Sequence, residues 1–116
     1  MICHKHFYLT LMHCFVMQVQ SSFGPKLHVF VCVNVRDDLH RSCCQRVGGE
    51  DVAAALKEWT IKENLRDKVW VSKSKCLGFC NPIGATVVVY PVQKWFMQVK
   101  KEDVPAVISE VKALLG

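Results

Sequence analysis

The chain has no block of five or more Lys and Arg residues, no apolar run approaching eighteen residues, no internal repeat and no low-complexity tract. The first absence argues against a nucleic-acid footprint, which needs a dense basic patch or interleaved aromatics on one face. The second implies no membrane-spanning helix. There is also no Ser/His/Asp arrangement, no catalytic pair of carboxylates and no Gly-rich phosphate loop. Without them the sequence reads as something other than an enzyme. Its five His have no metal-like spacing in the folded part, and His28 and His40 read as strand-entry and loop residues. A length of 116 residues suits one domain with a modest core that needs no disulfide staples. Lys and Arg outnumber Asp and Glu by 15 to 10, a mildly basic balance of +5.

The first residues are unlike the rest. "MICHKHFYLTLMHCFVMQVQSSFG" holds a single Lys, three His, two Cys and no acid. Its apolar stretch imitates a secretory signal, but His13 and Cys14 interrupt it and no small-x-small cleavage site follows. Residues 1–25 are therefore expected to be an extension outside the core, with "SSFGP" as a linker and residues 26–116 as the domain. The expected compartment is the cytoplasm.

Residues 26–116 alternate in character. "LHVFVCVNV" reads as a β-branched strand ending near Cys32, and "RDDLHRSCCQRVGG" as a polar loop. "EDVAAALKEWTIKENL" predicts a helix that opens with acids and carries Val52, Leu56 and Trp59 on one face. "DKVWVSK" reads as a second strand and "CLGFCNPIGA" as a loop. "TVVVYP" and "KWFMQV" then form a hairpin across "PVQ". "KEDVPAVISEVKALLG" predicts a terminal helix with Asp103 as N-cap, Pro105 in the first turn and a stripe of Val107, Val111 and Leu114. Trp59 and Trp70 are expected in the core. Trp95 and Phe96 alternate on a strand, so one of the two is expected inside. The order β-α-β-β-β-α defines an α/β layer: a parallel pair followed by a hairpin, in a four-stranded mixed sheet with two main helices.

Cysteine is what the chain has in excess: seven residues, five of them in the folded part. Cys32 ends the first strand, Cys43 and Cys44 lie in the loop after it, and Cys76 and Cys80 lie in the loop after the second strand. Loops leaving the C-terminal ends of parallel strands emerge at one edge of the sheet, where α/β proteins commonly place ligands. Thiolates from two such loops suit a [2Fe–2S] cluster, with two sulfur ligands for each iron, or tetrahedral zinc. One tight Cys-x₃-Cys pair with one wide loop is a weak zinc pattern, since structural zinc favours tight knuckles on both sides. Taken alone, Cys32 reads as a small core residue. A Cys76/Cys80 thiol–disulfide pair is disfavoured by a spacing one residue longer than Cys-x-x-Cys.

The segments "HVFVCVNVR", "RSCCQRVGGEDV", "KCLGFCNPIGATVVVYP" and "KWFMQVKKEDVPAVISEV" occur in an order and spacing similar to those of the thioredoxin-like [2Fe–2S] ferredoxins. The resemblance covers residues 28–114. It implies a thioredoxin-like fold, a single [2Fe–2S] cluster, one-electron transfer and a homodimer. It also implies the ligand set Cys32, Cys43, Cys76 and Cys80, with Cys44 an extra thiol beside a ligand. The alternative is a cluster- or zinc-stabilised interaction module, or a subunit of a larger redox complex. Arg36, Arg41, Arg46, Lys73 and Lys75 flank the ligand loops. They are expected to compensate the anionic centre and to offer redox partners a basic docking surface that fits an acidic one.

Overall fold

A computed structural model describes residues 16–34, 47–78 and 83–116. Four strands form one sheet in the order β2-β1-β3-β4. Strand β1 (Leu27–Cys32) pairs in parallel with β2 (Val69–Ser74), in register from Leu27↔Val69 to Cys32↔Ser74. Strand β3 (Ala85–Tyr90) lies antiparallel to β1 on its other side, and β4 (Lys94–Val99) closes the hairpin. Helix α1 (Gly49–Lys62) connects β1 to β2, and α2 (Val104–Leu114) follows a short 3₁₀ turn at Lys101–Asp103. The β-α-β-β-β-α order, the mixed sheet and the two helices match the sequence reading. Among the described residues no helix is long and apolar enough to cross a membrane.

Alternation along β1 divides the molecule. Leu27, Val29 and Val31 face the helices and join Val52, Leu56 and Trp59 of α1 and Val107 and Val111 of α2 in one core. Each fully buried Val or Leu contributes about 1.5–3 kcal/mol. Both helices thus cover the same side of the sheet. On the other side lie His28, Phe30 and Cys32, next to the even-numbered residues of β2 and β3. Trp70 is on that side and 39% exposed, so the expectation of a core Trp70 fails, while Trp59 is buried as expected. Phe96 packs against the core, and Trp95 stands opposite Val88 with its side chain half-buried.

Two helix ends differ from expectation. Helix α1 stops at Lys62 rather than Leu65, because Asn64 turns left-handed at φ 55°. The Leu65 amide then donates to Thr60 O at 2.8 Å and the Asn64 amide to Ile61 O at 3.2 Å, a Schellman closure that satisfies the last carbonyls. Asp103 stands at the start of α2 but makes no side-chain cap there. Its carboxylate accepts the Lys100 amide at 3.0 Å and so fastens the 3₁₀ turn instead.

A register shift between Ala85 and Val87 gives β4 one extra residue, with Gln98 left-handed at φ 58°. The bulge presses the β4 backbone onto Gly84. A Cβ at Gly84 would lie 2.4 Å from Gln98 C and 2.7 Å from Val99 N, so only glycine fits.

Candidate functional site

The parallel register brings the C-terminal ends of β1 and β2 together. Cys32 pairs with Ser74, and beyond them the Val33 amide donates to Ser74 O at 2.9 Å. Cys32 is completely buried and forms a small cluster with Ala85, separate from the main core. Leu77, next to Cys76 in sequence, packs against that cluster. Neither thiol is in a disulfide.

Cys76 is exposed, two residues past the end of β2. Its Sγ accepts the Gly78 amide at 3.3 Å. That contact depends on Gly78 taking φ +94°, where open space surrounds the missing Cβ. Gly78 is therefore required for its backbone conformation, and close approach of neighbouring backbone is the role of Gly84. The sequence suggests backbone N–H donors to sulfur, with Gly78 and Gly84 allowing close backbone approach, and the structure gives Gly78 the amide-to-sulfur bond. An N–H aimed at sulfur favours the charged thiolate and its metal-bound form.

The other predicted ligands, Cys43 and Cys80, lie outside the described residues, as do Cys44, Arg36, His40, Arg41 and Arg46. Among the described residues no three His, Cys, Asp or Glu side chains converge. Of the predicted ligands, the structure places Cys32 at the end of β1 and Cys76 two residues past the end of β2. Of the flanking cations, Lys73 reaches Glu50 at 2.8 Å and ties β2 to the first turn of α1. Lys75 is exposed beside Cys76 and makes no ion pair with a described residue.

At the opposite end of the same sheet face the side chains are aromatic. His28 stacks on Phe30 at 4.1 Å, meets Trp70 edge-on at 5.8 Å and shares a 2.7 Å hydrogen bond with Ser72. Phe30 meets Tyr90 edge-on at 6.1 Å. Desolvation lowers the His28 pKa below its ordinary value, which favours the neutral ring.

Cysteines at the ends of two parallel strands, outside any disulfide, on a mixed sheet with both helices on one side, are the geometry against which relatives can be judged. No protein-family model matches the chain. A 2Fe-2S ferredoxin of Aquifex aeolicus is 35% identical over 85 residues, spanning 72% of this chain and 76% of the relative. A 2Fe-2S ferredoxin of Clostridium pasteurianum is 29% identical over 87 residues, spanning 74% and 84%. The crystal structure of the wild-type thioredoxin-like [2Fe–2S] ferredoxin from Aquifex aeolicus superposes with a TM-score of 0.65 at 31% identity, covering 75% of this chain and 85% of that one. The chain belongs to the thioredoxin-like [2Fe–2S] ferredoxin family.

Proposed function

We propose that this protein is a one-electron carrier that holds a single [2Fe–2S] cluster on Cys32, Cys43, Cys76 and Cys80 and makes or breaks no bonds of its own. The observation that carries the reading is the packing of Leu77, next to Cys76, against buried Cys32 where the parallel strands end. A buried thiol at the end of one parallel strand and an exposed one just past the end of its partner suit a group held at the protein surface, and soft sulfur donors suit iron–sulfur chemistry. When bound, the cluster supplies reversible one-electron exchange. The chain's residues do the rest: thiolates ligate, the Gly78 amide donates to sulfur, and Lys75 offsets a centre carrying about −2 when oxidised. Protein purified without oxygen is expected to contain two irons and two acid-labile sulfides per chain. A colourless preparation with one zinc and no sulfide would favour the interaction-module reading instead.

The partner of such a carrier is expected to present an acidic surface, because Lys75, next to Cys76 in sequence, makes no ion pair with a described residue, and Arg36, Arg41 and Arg46 neighbour Cys43 in sequence. Exposed charges steer encounters in a salt-dependent way. The rate of reduction by the physiological donor should therefore fall as salt rises from low to physiological. A flat or rising rate sinks the docking idea and leaves the cluster assignment standing.

The domain is residues 26–116, it works in the reducing cytoplasm, and it pairs as a homodimer through the aromatic sheet face around Phe30, Tyr90 and Trp95. Support comes from the absence, among the described residues, of a helix on that face and from exposed Tyr90, which fits an aromatic-rich interface. A chain beginning at Lys26 is expected to keep the cluster spectrum and to sediment as a dimer. Tyr90→Lys should weaken that dimer by about thirtyfold, in the range of an interface hot spot. Loss of folding on truncation defeats the domain boundary, export of the full chain defeats the cytoplasmic assignment, and an unchanged dimer in Tyr90→Lys defeats the chosen face.

A further inference from the structure

We infer that the outer edge of β2 is a docking edge for an extended acidic segment of the redox partner, which adds to the sheet as a fifth strand and runs toward Cys76. The inference rests on the acidic-partner reading above and names where that partner binds.

The first observation is backbone direction. Lys68 O accepts from the Lys26 and Leu27 amides, and Ser74 O accepts from the Val33 amide. The even-numbered backbone groups of β2 therefore face β1, and by alternation the odd-numbered ones face outward. Val71 and Lys73 thus direct their N–H groups, and Val69, Val71 and Lys73 their carbonyls, away from the sheet. Among the described residues no strand pairs with that edge. The other edge is protected, because the bulge at Gln98 distorts β4. Strand β2 has no such interruption, as its six residues stay in register with β1.

The second observation is what lines the open edge. A cleft between α1 and β2 is bounded by Lys57, Ile61, Arg66, Trp70 and Ser72. Ile61 is 60% exposed, and Trp70 is exposed on the far side of the strand. Lys57 and Arg66 form no ion pair with any described residue. The acids near the edge are already engaged or off the strand: Glu50 holds Lys73, Glu58 faces Lys62 at 3.8 Å, and Asp67 lies in the turn before β2. An occupant must therefore supply backbone donors and acceptors, an apolar face toward Trp70, and on its opposite, helix-side face carboxylates for Lys57 and Arg66. An extended segment alternating apolar and acidic residues meets all three demands, as in strand-addition recognition. From Trp70 to Cys76 such a segment covers roughly 20 Å, at about 3.3 Å per residue, so its far end lies beside the exposed thiol.

The test uses the cluster-loaded full-length protein and a blocked octapeptide of alternating Glu and Val, read by hydrogen–deuterium exchange. At low salt the peptide should slow exchange over residues 69–74 by about tenfold and leave β4 unchanged. The protection should disappear in Lys57→Glu/Arg66→Glu but persist in Lys100→Glu/Lys101→Glu, which alters net charge equally. A peptide with Pro in place of Val should not protect. No protection, protection on β4, or equal protection by the Pro peptide overturns the inference. So does an edge already protected in the free full-length chain and released in the chain beginning at Lys26, since the occupant is then the chain's own N-terminal segment. If reduction by the donor stays salt-dependent and equally fast in Lys57→Glu/Arg66→Glu, the acidic partner stands and the β2 edge falls.

Discussion

Cys43→Ser is expected to abolish or shift the sulfur-to-iron charge-transfer bands, while Cys44→Ser keeps both the bands and the iron count. Consecutive side chains of an extended segment point in opposite directions, so both sulfurs of such a doublet are not expected to face one iron. The similarity of "RSCCQR" to the family's loop assigns the residue after Ser42 as the ligand. Cys32→Ser and Cys76→Ser belong with Cys43→Ser, since each replaces a thiolate by a harder oxygen that suits iron–sulfur ligation less well. Losing a mere outer-shell partner weakens metal retention about 10–100-fold, so losing a direct ligand should cost at least about 100-fold. Iron content after gel filtration, with the visible spectrum, checks all four variants. Cluster loss in Cys44→Ser together with an unaltered Cys43→Ser would reverse the assignment.

Gly84→Ala is the second large effect, and it acts on the fold. The added methyl would sit 2.4 Å from one backbone atom and 2.6 Å from another, and neither can swing aside as a side-chain tip could. Forced overpacking costs about 3 kcal/mol at the upper end of the usual range. For a domain of this size that lowers the melting temperature by roughly 10–20 °C. Gly78→Ala makes the same chemical change in open space and costs only the left-handed backbone, about 1 kcal/mol. Its main consequence should be at Cys76, through loss of the amide bond to sulfur. Thermal melts of the two variants side by side decide the matter. A Gly84→Ala melt within a few degrees of the parent would mean that the β4 bulge yields.

Most of the scaffold could be read from local pattern. Strand β4 begins and ends where "KWFMQV" does, and Val52, Leu56 and Trp59 of α1 are buried together. The errors lie where a decision depends on something other than periodicity. The end of α1 was set by Asn64 adopting a left-handed conformation, a cap signal present in the text but masked by the apolar Leu65 beyond it. Trp70 was misplaced because a strand's alternation says that two faces differ and leaves open which face the helices cover. With both helices on one side, the indole fell on the other. The sequence offers the site as a set of cysteines, and the structure adds that Leu77, next to Cys76, packs against the Cys32/Ala85 cluster. The role of Gly78 depended on a single dihedral angle, which composition does not encode.

The pairing of Cys32 with Ser74 also dictates when the centre comes into existence. The two residues stand side by side, yet residues 32 and 74 are 42 apart along the chain. Synthesis runs from the N-terminus at about 5–20 residues per second, so Cys32 is made roughly 2–8 s before the strand that completes its surroundings. Throughout that interval β1 has neither of its sheet neighbours, because β2 and β3 are both encoded later. Its thiol is open to stray metals and oxidants that the folded protein shuts out by burying it completely. Under the proposed ligand set, iron and sulfide delivered during translation would meet a partial set of thiols, and only a chain made past residue 80 would offer all four. The timing of cofactor supply is thus written into a parallel strand pair, which cannot form until the intervening helix has been made.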